Sequence, residues 1–146
     1  MKKYIKLALL ILWLGIIYYL SSQPGTASLN ESNGLLEIIA NILHVNDVNK
    51  FISKYGAFIR ELAHFGEFFI LGLLVYTNLS EYTNKSILLI TIVLCVLYAN
   101  SDEIHQYFVE DRVFSFLDIL IDTLGSVLAS TFSHLVDKYV AKRKST

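Results

Sequence analysis

The sequence predicts an all-α, polytopic membrane protein built as a four-transmembrane-helix bundle, and three observations lead there. Of its 146 residues 54% are hydrophobic and 17% are charged, with a mean hydropathy of +0.51; that balance is wrong for a soluble domain of this length. Four stretches, over residues 4–20, 58–79, 86–106 and 114–136, approach the ~20 residues needed to cross a hydrocarbon core about 30 Å thick. Polar residues inside them recur at helical spacing. The length suits one domain over residues 1–146.

The first stretch carries Lys2, Lys3 and Lys6 ahead of or within an apolar run. A secretory signal is the other reading, but a signal core spans only about 7–15 residues and no clear cleavage site follows. Gln23-Pro24-Gly25 then breaks the chain, because proline lacks an amide hydrogen and glycine permits a sharp turn. A loop of Thr, Ser and Asn is expected next. From Leu35 the apolar residues Leu36, Ile38, Ile39, Ile42 and Leu43 recur at helical spacing, which suits a short amphipathic helix in the first outer loop, lying in the interface or packed as a lid. Asn46-Asp47 starts another short piece, and Gly56 is expected to separate it from the second span. Residues 80–85 close a tight hairpin into the third span, which continues through Gln106. Residues 109–113 link it to the fourth.

The basic residues sort by position. Lys138, Lys142, Arg143 and Lys144 follow the last span as the early lysines precede the first, and Lys85 falls in the intervening inner loop, so both termini are expected in the cytoplasm. A net charge of -1 gives no reason to expect a nucleic-acid partner. Cys95 is the one cysteine and cannot form an intrachain disulfide.

The candidate chemistry lies at the outer ends of the spans. Arg60, His64 and Glu67 fall on one helical face, since steps of four and three residues return to within about 40°. Asp102, His105 and Gln106 form a second face beside Glu103, and Asp118 and Asp122 a third. An acid at bilayer depth costs about 2.5–3.5 kcal/mol even on the mild insertion scale, so these residues must face protein or a water-filled cavity. Metal ligation is one reading of H-x-x-E, D-x-x-H and D-x-x-x-D, which makes a divalent metal a candidate cofactor. A second is a structural network in which Arg60 and Arg112 neutralise the acids. The third is acid–base chemistry by His64, Glu67, Asp102, His105, Asp118 or Asp122, with Ser22, Gln23, Arg60, Glu103, Gln106 and Arg112 holding a substrate. His44 and His134 fall outside these faces.

These residues also carry a resemblance. Ser21-Ser22-Gln23-Pro24, Arg60-x-x-x-His64, Tyr98-Ala99-x-Ser101-Asp102-Glu103-x-His105-Gln106, Arg112 and Asp118-x-x-x-Asp122-x-x-Gly125, in this order, resemble the VanZ-like membrane proteins, a family named for a protein associated with teicoplanin resistance. Glu110-Asp111 departs from the Pro-Gly-like turn common before the family's arginine. The resemblance implies a membrane fold and a link to glycopeptide tolerance, without a reaction. The expected ligand is an amphiphile of the outer leaflet, such as a phospholipid, a polyprenyl-linked wall precursor or a lipoglycopeptide tail. Both a membrane enzyme acting on such a headgroup and a non-catalytic binding protein fit the sequence.

Overall fold

A computed structural model describes residues 3–83 and 86–144; Lys2 and Lys85, two of the charges that bear on orientation, lie outside the described residues. Five helices form, with no strand among the described residues: α1 (Lys3–Ser21), α2 (Gly25–Ile42), α3 (Val48–Leu79), α4 (Ile87–Tyr107) and α5 (Phe116–Lys144). α1, α4 and α5 are long and apolar enough to cross a membrane. That makes three such helices where four were expected. Within the expected span of α3, Arg60, Glu61, His64 and Glu67 interrupt its apolar character.

Two further expectations are corrected. α2 starts at Gly25, so the Thr, Ser and Asn residues expected in a loop are helical. Packing along α3 outweighs their weak intrinsic preference for turns. α3 runs unbroken through Gly56, whose nearest neighbour across the α2 face is Asn33. Asp47 starts α3 by accepting a hydrogen bond from the Lys50 amide at 3.0 Å, which satisfies one of the free amides of the first turn. At the other side of this connection His44 takes a left-handed φ of 52°. The Val45 amide donates to the Ala40 carbonyl at 2.9 Å and the His44 amide to Asn41 at 3.3 Å, a Schellman ending of α2.

α3 is the centre of the molecule and packs against each of the other four helices. The Asn78 amide donates to the Lys6 carbonyl at 3.0 Å and the Trp13 indole to the Glu67 carbonyl at 3.0 Å, so α1 runs antiparallel to α3. Tyr98 donates to the Leu14 carbonyl at 3.2 Å, and Ser22 meets His105, so α1 and α4 run parallel. α3 and α5 are parallel and close. A methyl on Gly72 would lie 2.8 Å from the Ser126 carbonyl oxygen, and one on Gly125 would collide with the Phe65 carbonyl. Buried Ser126, Ala129 and Ser130 continue this seam, the small-residue contact by which membrane helices approach one another. The apolar core of Ile17, Phe68, Leu71, Cys95 and Ala99 joins α1, α3 and α4. This topology puts both chain ends at one end of the bundle and the polar residues at the other.

Candidate functional site

The polar end gathers a pocket of about 100 Å³ between α1, α2, α3, the end of α4 and the α4–α5 connection. Of the residues expected from sequence, Gln23, Arg60, His64, Glu67, Gln106 and Arg112 line it. Ser28, Glu31 and Ser32 of α2 line it too. Their i, i+3, i+4 spacing would have placed them on one face had residues 25–34 been read as helix.

Arg112 is held from three directions. Its Nη1 donates to Gln106 Oε1 at 3.1 Å, Nε to the Gln23 carbonyl at 3.3 Å and Nη2 to the Leu20 carbonyl at 3.5 Å. Gln106 is oriented in turn, since its amide donates to Asp102 Oδ2 at 2.9 Å and towards Ser21 Oγ at 3.4 Å. Burial, and after it the like charge of Arg60, lower the Arg112 pKa from its ordinary value; a second guanidinium nearby makes loss of a proton easier. The contacts of ion-pair length among the described residues are Lys6–Glu81 and His64–Asp122, the second an ion pair only when His64 is protonated. Neither arginine is in ion-pair contact with an acid among the described residues, but Asp102, Glu103 and Asp118 lie near enough to favour the Arg112 charge, and Gln106 links Arg112 to Asp102.

The other candidates stand around the pocket without lining it. Asp122 is 1% exposed, and its Oδ1 is 3.4 Å from His64 Nδ1. Both atoms lack a hydrogen-bond partner, which leaves them capacity for a water or ligand oxygen. Glu103 is buried and accepts from the Ser115 amide, while the Asp118 amide donates to Ser115 Oγ at 3.2 Å. Those contacts start α5, so Glu103 Oε1 binds this chain's own backbone, while Oε2 is buried without a hydrogen-bond partner. His105 stacks on Tyr18 with ring centroids 4.8 Å apart, and its Nε2 is 3.0 Å from Ser22 Oγ. Ser22 donates its one hydroxyl hydrogen to the Tyr18 carbonyl at 2.6 Å, so His105 donates to Ser22. That is the wrong sense for a histidine activating a serine nucleophile.

No group of three or more His, Cys, Asp or Glu side chains among the described residues is placed to hold a metal. Arg60 and Arg112 line the same pocket as His64 and Glu67, and two guanidinium groups are poor company for a cation. His134, set aside on sequence, meets Tyr76 at the far end of the bundle, with Nδ1 3.2 Å from the hydroxyl.

A protein-family model described as VanZ/LLP1 matches the chain over residues 6–137. The chain belongs to the VanZ/LLP1 family. The match spans all four elements that supply the polar end together with α5, so the VanZ/LLP1 assignment covers the whole site. No curated protein and no solved structure matches the chain significantly.

Proposed function

We propose that this VanZ/LLP1 protein is a multi-pass protein of the cell membrane that binds the phosphate-bearing headgroup of an amphiphile in the outer leaflet. One observation carries the reading: Arg60 and Arg112 line the same pocket, and neither is in ion-pair contact with an acid among the described residues. A guanidinium offers a planar fork of donors that suits phosphate oxygens. Arg112 is prepositioned by Gln106 and two carbonyls, which lowers the ordering cost of binding. α3 crosses the membrane as the fourth span, because α1, α4 and α5 surround it and charges in its first half face the pocket where lipid would not tolerate them. Lys3, Lys6, Lys142, Arg143 and Lys144 then mark the cytoplasmic side, and the pocket opens outward.

The association of the family with glycopeptide resistance fits this site. Occupying or modifying a lipid-linked wall precursor or a phospholipid headgroup alters the surface that a lipoglycopeptide meets. A catalytic version is favoured by His64 and Asp122, a buried acid–base pair whose facing atoms are unpartnered. In that version His64 takes a proton from water or a headgroup hydroxyl while the arginines stabilise charge on the phosphate.

Trp13 is the single tryptophan, and its indole is tied to Glu67 at the pocket. Its fluorescence therefore reports binding of a short-chain phosphate-headed lipid to protein in nanodiscs. Arg60→Ala and Arg112→Ala are expected to weaken binding by about tenfold or more, as loss of a charge-assisted hydrogen bond of roughly 1.5 kcal/mol implies. Unchanged affinity in both variants overturns the reading. Product detected by mass spectrometry with wild-type protein, and lost in His64→Gln, separates the enzyme from the binder.

A further inference from the structure

Outside the polar site, a second cavity opens between α1 and α4 in the half of the bundle that holds the chain termini. It has a volume of about 310 Å³ and is lined by Leu7, Leu10 and Leu14 of α1, Val75 of α3, and Leu94 and Tyr98 of α4 among others. Its origin lies in how α1 is held. From its middle to the polar end α1 is fastened to α4 by the Tyr98–Leu14 and Ser22–His105 contacts. At the opposite end Lys6 pairs with Glu81 and the Lys6 carbonyl accepts from Asn78, so α1 is drawn onto α3 and away from α4. Two parallel helices that meet at one end and part at the other leave a wedge-shaped cleft.

The cleft lies along apolar spans, and its edges Leu7 and Leu94 are 39% and 45% exposed. At bilayer depth there is no water to fill it, so its natural filling is hydrocarbon. The volume accommodates roughly ten heavy atoms at the ~30 Å³ that a water occupies in the liquid. At the mouth Lys3 Nζ is 3.7 Å from the centre of the Tyr82 ring, and Tyr82 lines the cavity. Lys6 is paired with Glu81, and Lys3 over the Tyr82 ring leaves that mouth positive among the described residues. An aromatic ring and lysines at a membrane–water boundary suit an anionic headgroup.

We infer that the α1–α4 cleft holds one acyl chain of an anionic phospholipid, with the headgroup at Lys3 and Tyr82. This site shares no residue with the Arg60–Arg112 pocket and stands or falls separately from it. The test uses full-length protein in phosphatidylcholine nanodiscs containing a trace of phosphatidylglycerol with a photoreactive group midway along its acyl chain. Crosslinks mapped by mass spectrometry are expected to concentrate several-fold on the cleft segments of α1 and α4 over the exposed Leu120, Leu124 and Leu128 of α5. Leu94→Trp should reduce cleft labelling to the α5 level by filling the space. Lys3→Gln, at an exposed position, should lower it without disturbing the fold. Phosphatidylcholine bearing the same group should label the cleft no more than α5. Even labelling of all faces by the phosphatidylglycerol probe overturns the inference, as does a crosslink showing a helix of a second copy in the cleft.

Discussion

Arg112 illustrates how a loop residue becomes part of a site. It enters after α4, yet Gln106, Gln23 and Leu20 supply three acceptors that fix its plane. Arg112→Lys keeps the charge but loses the rigid planar fork that meets these acceptors and a phosphate together. It is expected to weaken phosphate-lipid binding about tenfold, the cost of roughly one charge-assisted hydrogen bond, with little change in melting temperature; equal loss of both would mark Arg112 as structural. Ser22 gives the opposite expectation. Because its hydroxyl hydrogen is committed to Tyr18, Ser22→Ala should preserve any turnover and any glycopeptide tolerance that the gene confers, whereas His64→Gln should abolish turnover. A Ser22→Ala variant that folds but is inactive would restore the serine to the chemistry. These residue-scale roles were only half legible in sequence. Spacing alone placed Arg60, His64 and Glu67 on one face, because helical periodicity fixes it. Whether Glu103 met a ligand or the Ser115 amide depended on where α5 starts against α4, which no local pattern encodes.

At the scale of elements, the α3–α5 seam is the most demanding contact. Gly72 and Gly125 let the two backbones approach, and a methyl at either meets backbone atoms that cannot rotate aside. Gly72→Ala and Gly125→Ala are expected to destabilise the protein by about 1–3 kcal/mol, the usual cost of overpacking. Gly15→Ala, with open space around it, should be neutral or slightly stabilising through helix propensity. Denaturation in mild detergent distinguishes these outcomes. The α1–α3 contact adds a pH dependence at the terminal end. Lys6, by its hydrogen bond and then its charge, holds the Glu81 carboxyl below its ordinary range. The contribution of Glu81 is therefore present above the unfolded glutamate pKa of about 4.3 and is lost as pH falls through the lower folded value. A difference in melting temperature between wild type and Glu81→Gln that persists at the acid end would contradict this pairing.

For the whole molecule, the decisive question is orientation. A cysteine at Asn46, in the exposed turn between α2 and α3, should react with an impermeant thiol reagent on intact cells in a Cys95→Ser background. A cysteine at Lys144 should not. Labelling at Lys144 alone would invert the molecule and move the arginine pocket to the cytoplasm. The sequence by itself determined the all-helical class, the apolar stretches that became α1, α4 and the first part of α5, and the stripes of polar residues, because crossing lipid demands whole apolar spans and helical spacing assigns each polar residue to a face; α5 runs on to Lys144, past the expected residue 136. Tertiary structure decided what those faces meet. It made α2 helical from Gly25 and α3 continuous through Gly56, since packing between the two outweighs local preference for a break. It also brought Arg60 and Arg112 to one pocket without an ion-pair contact to an acid among the described residues and fastened α1 to α4 towards one end only, because the register and tilt of packed helices are set by contacts far apart in the chain.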